Sequence, residues 1–250
     1  MSGHSKWSTI KRKKGAQDAK RSQLYAKLLR AVEVAAREGG PNVEGNMTLA
    51  SAVEKARDGS VPWDNIERAI KRGSGAEGGG AKYDEVMYEG YGPAGVAVMV
   101  EALSDNRNRT SQEVRHAFGS HGGNLGEQGS VAWMFQRRGL IELDKDTAPG
   151  EERILEILLD AGADDLTDVG EQWEIVTEPD GLRSVRAALE AAGVPIASSE
   201  LTMLPQSTVP VGADKAGSVL RMIEALEDLE DVQAVHSNFD IPDEVLAEVG

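Results

Sequence analysis

The apolar pattern of this 250-residue chain changes period once, at a glycine-rich break. Up to Arg72, hydrophobic residues recur at helical spacing. From Tyr83 onward, short β-type runs alternate with helical segments. A chain that switches in this way builds a helical piece followed by α+β layers. The break, Gly73 to Gly80, holds five glycines and reads as a flexible joint.

Three helices precede the break. From about Gln17 to Glu38, Leu24, Leu28, Ala31, Val32 and Ala35 form one apolar stripe. At about 100° per residue, Lys20, Lys27, Arg30 and Arg37 fall on the opposite side. Gly39-Gly40-Pro41 stops this helix. Asn46 caps a second helix with Leu49, Ala52, Val53 and Ala56 inward and Gly59 at its end. Pro62 suits the first turn of a third, which turns Ile66, Ala69 and Ile70 inward and stops at Gly73.

Beyond the break, Tyr83 to Glu89 and Val96 to Leu103 read as strands, and Val131 to Phe135 as another. Thr110-x-x-Glu113 is a capping box, opening a helix that buries Val114, Ala117 and Phe118. A series read as βαββαβ follows from Leu140; three of its four strands are placed, at 140–143, 173–177 and 200–204, with helices at 151–161 and 182–192. It resembles a ferredoxin-like unit. A last piece has a strand at 208–211, a helix at 214–229 and a strand at 232–238. The economical arrangement returns this piece to the sheet of residues 83–135. The expected class is therefore α+β in three domains: a helical domain at 1–76, a discontinuous α+β domain at 82–135 plus 206–250, and an inserted α+β domain at 137–204. A linear three-domain chain is the alternative.

Charge divides the chain as sharply as period does. Residues 1–82 carry 16 Lys and Arg against 9 Asp and Glu, and residues 83–250 carry 11 against 33, within a net charge of −15. The first thirty residues hold Lys6, Lys11, Arg12, Lys13, Lys14, Lys20, Arg21, Lys27 and Arg30, opposed by Asp18 alone. Such an end attracts a polyanion while the rest repels it. Phosphate binding through counterion release is the expected chemistry, with strong salt dependence. A solvated basic tail is the plainer reading of the same residues. Trp7 and Tyr25 have the rings to stack on an exposed base, although Trp7 equally suits core packing.

Other motifs carry less. Arg107 and Arg109 suit either a nucleic-acid backbone or pairing with Asp105 and Glu113, and the pairing is slightly favoured. The Gly122 to Gly129 loop, with Asn124 in it, is either a turn device or a contact surface. Gly90-x-Gly92-x-x-Gly95 fits a dinucleotide fingerprint in spelling, but a strand follows it and Pro93 lies inside, so a glycine-rich hairpin is expected. His116 and His121, five apart, lack a third ligand, so no metal is expected. With no cysteine there is no disulfide, thiolate metal site or thiol nucleophile. No catalytic motif and no cofactor motif stands out. No apolar run reaches the roughly 18 residues of a membrane helix. The spacings of zinc fingers and basic zippers are absent, so duplex sequence reading is not expected. A loose basic arm suits the irregular phosphate surface of structured RNA at least as well.

Several strings together resemble one family: Ser2-Gly3-His4-Ser5-Lys6-Trp7, Gln17-Asp18-Ala19-Lys20-Arg21, and Asp64-Asn65-Ile66-Glu67-Arg68-Ala69-Ile70-Lys71. To these add Tyr88-Glu89-Gly90-Tyr91-Gly92-Pro93, Asp105-Asn106-Arg107-Asn108-Arg109-Thr110, and Gly122-Gly123-Asn124-Leu125-Gly126 with Gly129-Ser130-Val131-Ala132. The chain resembles the YebC/PmpR family, which includes a mitochondrial translational activator. The likeness is close over roughly residues 1–140 and looser beyond. It implies three domains with the middle one discontinuous, no catalytic activity, and a cytoplasmic protein without a transit peptide. It also implies a regulator that binds nucleic acid, either DNA at promoters or ribosomal RNA in translation at proline runs. A monomer is expected, with nucleic acid and the ribosome as partners.

Overall fold

The computed structural model describes residues 18–75, 82–242 and 244–246, with side chains from Arg21 onward. In chain order its elements are α1 (Asp18–Gly39), α2 (Met47–Asp58), α3 (Trp63–Gly73), β1 (Asp84–Tyr91), β2 (Ala97–Ser104), α4 (Arg107–Ser120) and β3 (Asn124–Leu125). There follow β4 (Phe135–Asp144), α5 (Glu151–Leu158), β5 (Ala163–Asp168), β6 (Gln172–Thr177), α6 (Leu182–Ala191) and β7 (Ser198–Pro205). The last are β8 (Val209–Pro210), α7 (Ala213–Glu227), β9 (Val232–Ser237) and β10 (Phe239–Asp240). The class is α+β. Among the described residues one compact unit is Phe135–Gln206; the other joins those up to Met134 to those from Ser207 onward.

The larger unit begins with the three helices. Leu28, Val32, Ala35, Leu49, Val53, Ile66 and Ala69 fill their shared core. Asn46 ties the turn together. Its Oδ1 accepts the Leu49 N–H at 3.0 Å, and its Nδ2 donates to the carbonyls of Ala35 and Gly40, both at 2.8 Å. That satisfies an orphan donor at the start of α2 and ties it to the last turn of α1 and the residue that follows it. Gly73 closes α3 against the Glu33 carbonyl, where a Cβ would collide. It is therefore a packing residue, not part of a joint; residues 76–81 of the expected joint lie outside the described residues.

The sheet of this unit has the order β3-β1-β2-β9. β1 and β2 form a long antiparallel hairpin, from Asp84 opposite Ser104 to Tyr91 opposite Ala97. β9, over a hundred residues further on, lies antiparallel along the other edge of β2. The middle domain is thus discontinuous. Helices α4 and α7 cover one face and bury Val98, Val100, Val114, Phe118, Val219 and Ile223. The Gly90–Gly95 string is the hairpin bend, as its sequence context predicts. A Cβ on Gly90 would stand 2.6 Å from the Asn124 carbonyl, so the glycine lets β3 approach.

The smaller unit is a βαββαβ sheet in the order β5-β6-β4-β7, all pairs antiparallel, which is the ferredoxin-like arrangement. Ile141, Leu143, Ile154, Ile175, Val185 and Leu189 form its core.

Four local expectations need correction. Val131 to Phe135 is not a strand. Its start is a turn, because the Glu89 carboxylate takes the N–H groups of Gly129, Val131 and Ala132 that a strand would give to a neighbour. One ten-residue strand, β4, then runs through both Phe135 and Leu140. Thr110 is not a cap: α4 starts at Arg107 with Asn106 accepting the Arg109 N–H, and Thr110 lies buried in the first turn. β5 was not anticipated, since Ala-Asp-Asp-Leu-Thr-Asp has no apolar alternation; such polar sequences occur on sheet edges. The final piece does not return to the sheet whole: β9 joins β2, whereas β8 pairs in parallel with β10 in a separate two-stranded ribbon.

Candidate nucleic-acid interface

Helix α1 is the part of the basic N-terminal segment with described side chains, and it presents two polar sides. Gln23, Lys27 and Arg30 share one stripe, at spacings of four and three. This stripe faces the end of α7 and the loop into β9. Gln23 donates to the Asp228 carbonyl at 2.6 Å and Lys27 donates to the Glu227 carbonyl. Arg30 reaches furthest. Its Nη1 donates to the Glu230 carbonyl at 3.1 Å and to Asp231 Oδ1 at 3.0 Å, and its Nη2 donates to Glu230 Oε1 at 3.0 Å. Its guanidinium also stands 4.9 Å from the centre of the Tyr83 ring.

The chemistry of this contact follows from the helix end. The last carbonyls of α7 have no partner within the helix. Glu227, Asp228, Glu230 and Asp231 place four negative charges where the helix dipole is already negative. The stripe on α1 supplies donors and positive charge to both.

Asp231 is the centre of the contact. It is 1% exposed and accepts from Arg30, from Arg109 Nη2 at 2.6 Å and from Thr110 Oγ1 at 2.5 Å. Burial alone would raise its carboxyl, but the hydrogen bonds from Thr110 and Arg109 and the charges of Arg109 and Arg30 outweigh burial and hold it below the usual carboxylate value. The same pairing, Asp231 first and Asp105 second, raises Arg109. Glu89 follows the same logic in the sheet. Burial pushes it up, and the three N–H groups from Gly129, Val131 and Ala132 together bring it below the usual value.

The other side of α1 meets the turn between α2 and α3. The Tyr25 hydroxyl donates to the Ser60 carbonyl at 2.5 Å, and Arg21 Nε donates to the Tyr25 oxygen at 3.0 Å. Arg21 is exposed.

The residues singled out in the sequence thus separate into groups. Lys6, Trp7, Lys11, Arg12, Lys13, Lys14, His4 and the side chain of Lys20 lie outside the described residues. Arg21 faces solvent. Lys27 and Arg30 bind the protein's own carbonyls and carboxylates, so a phosphate reaching them must exchange with those bonds. Arg37 pairs with Glu33 at 3.2 Å. Arg109 is held by Asp231 and by Asp105 at 2.9 Å, while Arg107 and Asn124 are exposed. The glycine loop serves as a turn device: Gly122 and Gly129 have positive φ, and a Cβ on Gly123 would stand 2.7 Å from the Tyr91 carbonyl. His116 bonds Ser120 and His121 bonds the Ala117 carbonyl. Among the described residues no group of three or more His, Asp or Glu is placed to hold a metal ion. No described helix is long and apolar enough to cross a membrane.

Sequence reasoning missed Asp231 and Glu89. The signal for Asp231 was present: four acids at a helix C-terminus with no local cation require a cation from elsewhere. Nothing local marks Glu89, whose donors lie forty residues away.

Comparison with known proteins agrees with this architecture. The family model described as "TACO1/YebC protein N-terminal domain" matches residues 5–76, and that described as "TACO1/YebC second and third domain" matches residues 83–239. A protein of Rubrobacter xylanophilus named "Probable transcriptional regulatory protein" is 54% identical over 249 residues, covering 100% of this chain and 99% of its own. One of the same name from Acidothermus cellulolyticus is 53% identical and covers 100% of both chains. The crystal structure of a conserved hypothetical protein from Aquifex aeolicus superposes with a TM-score of 0.82 at 48% identity, covering 92% of this chain and 94% of its own. On the sequence strings, the fold and these matches, the chain belongs to the TACO1/YebC family.

Proposed function

We propose that this protein is a non-enzymatic, nucleic-acid-binding regulator of gene expression. It acts on the ribosome and its RNA, as a translation factor that eases stalling at proline runs. The observation that carries the reading is the charge division: a basic head of 16 cations against 9 acids on a body of 11 against 33. The contacts proposed are Lys6, Lys11, Arg12, Lys13, Lys14, Lys20 and Arg21, with Trp7 available to stack. Lys27 and Arg30 join them only by leaving the acidic loop at Glu227–Asp231. That loop resembles a phosphate backbone in charge, and it holds the head by the same chemistry that would hold RNA. Arg107 and Asn124 are secondary candidates on the exposed edge of the middle domain. We expect a cytoplasmic monomer.

A second reading is favoured by the names of the relatives, which are probable transcriptional regulatory proteins. In it the same cations bind promoter DNA. Titrating the full chain against ribosomal subunits and against promoter duplex, each over a range of salt, separates the two. Binding to ribosomes that outlasts binding to duplex at physiological salt supports the translation reading. Tight, sequence-selective duplex binding at that salt replaces it with the transcription reading.

A further inference from the structure

The two sides of α1 differ in what they leave open. Gln23, Lys27 and Arg30 are taken by the acidic loop. Arg21, Tyr25 and Leu28 repeat the same spacing two residues earlier, which places them about 200° further round the helix. They lie on the side away from the repelling carboxylates. Leu28 is buried there, against Gly59 in the α2–α3 turn. Tyr25 is anchored through its hydroxyl to Ser60, and the Arg21 guanidinium stands 5.4 Å from the Tyr25 ring centre. Ser60 itself has a left-handed backbone, φ 61°, which turns the chain sharply into α3.

Three residues after Ser60 comes Trp63, the first residue of α3, 53% exposed. Leu24, next to Tyr25, is 46% exposed, and Arg57 at the end of α2 is exposed. This indole, half exposed at the first turn of a helix, follows Arg57 by six residues and stands three residues from Ser60, to which Arg21 is tied through the Tyr25 hydroxyl. The basic run Lys11–Lys14 ends shortly before α1 begins, so in the chain it adjoins the Arg21 end of this patch.

We propose that Trp63 is a stacking platform for an unpaired base of a single-stranded nucleic acid, with Arg21 and Arg57 holding the neighbouring phosphates. Every base has a face that stacks on an aromatic ring, and guanidinium groups beside the ring neutralise the backbone. A duplex cannot use the platform, since its bases are already stacked. The inference rests on the nucleic-acid reading above and names the part of the ligand that this patch takes.

The test uses the full chain and four probes of equal length: a uridine RNA strand, the matching deoxyuridine strand, an abasic strand with the same backbone, and an RNA duplex. Trp63→Leu should weaken binding to both base-bearing single strands by ~10-fold, as expected for losing one stacked base. It should leave the abasic strand and the duplex unchanged. Trp63→Phe should restore most of the loss. The ratio between the RNA and deoxyuridine strands tells which sugar the site prefers. The proposal is overturned if Trp63→Leu binds every probe as the parent does, or weakens the abasic strand equally. In the first case, a variant with Lys6, Lys11, Arg12, Lys13 and Lys14 changed to glutamine distinguishes the failures. If that variant loses the single strand, the nucleic-acid reading stands without the platform. If it too is unchanged, both fall.

Discussion

Replacing Asp231 by asparagine removes one negative charge from a carboxylate that serves three donors. Asparagine keeps the size and one acceptor, which Thr110 Oγ1 can still use at its present 2.5 Å. That acceptor is shared with Arg109 at 2.6 Å, so the amide group then points donor hydrogens towards Arg30, which stood 3.0 Å from the other oxygen. Removing one partner of a buried ion pair costs about 3–5 kcal/mol. Arg109 reaches solvent and can rehydrate, so a loss of about 2–4 kcal/mol is the better figure here. For a chain of this length about 1 kcal/mol corresponds to roughly 2–4 °C in melting temperature. Asp231→Asn should therefore lower the melting transition of the larger unit by about 5–15 °C, read by calorimetry alongside urea denaturation. Arg30→Gln in the same background gives a double-mutant cycle, and a coupling above about 1 kcal/mol is expected for groups in direct contact. A change under about 0.5 kcal/mol in the single variant, or additive losses in the cycle, would refute the account of Asp231 as the centre of the contact.

Three further outcomes follow from the geometry. Glu89→Gln loses an acceptor for the N–H groups of Gly129, Val131 and Ala132 and should destabilise by about 1–3 kcal/mol, with faster protease cleavage between Gly126 and Ala132. Gly123→Ala forces a Cβ to 2.7 Å from the Tyr91 carbonyl and should cost about 1–3 kcal/mol in urea melts, whereas the same change at Gly119, with open space around it, should cost little. Acid should loosen the larger unit through Asp231 and Glu89: both are depressed in the fold, so their stabilisation is present above the ordinary carboxylate range near pH 4 and is lost as pH falls through their lower folded values. An acid-unfolding curve that is unchanged when both carboxylates are converted to amides would contradict that assignment.

Much of this fold was legible in the chain because local chemistry and global packing coincide. Asn46 caps α2 as its position before Met47 requires, and the Leu49–Val53–Ala56 stripe is buried as its spacing predicts. The return of β9 to the sheet was the economical arrangement, with a linear chain as the alternative; the pairing of β9 with β2 decides between them. What was not legible depends on distant partners. The N–H groups after Gly129 look like strand donors until Glu89, forty residues earlier in the chain, claims them. β5 is too polar to declare itself, because an edge strand gains from its backbone bonds and not from burying side chains. For the candidate interface, the basic stripe on α1 was legible as a surface. Its occupation by Glu227–Asp231 was not, because periodicity gives the direction of a side chain and not what waits for it there.

The central claim is that cations in the first residues of the chain grip a phosphate backbone while the acidic body stays off it. The direct measurement is the salt dependence of RNA affinity for the full chain and for a variant carrying Lys6, Lys11, Arg12, Lys13 and Lys14 as glutamine. Each phosphate contact contributes about 0.7 to the slope of log affinity against log salt for a single strand. The account predicts that the variant, still folded by circular dichroism, binds more weakly and has a slope shallower by about 3.5 if each of the five meets a phosphate. Equal affinity and an equal slope in the two proteins would contradict it.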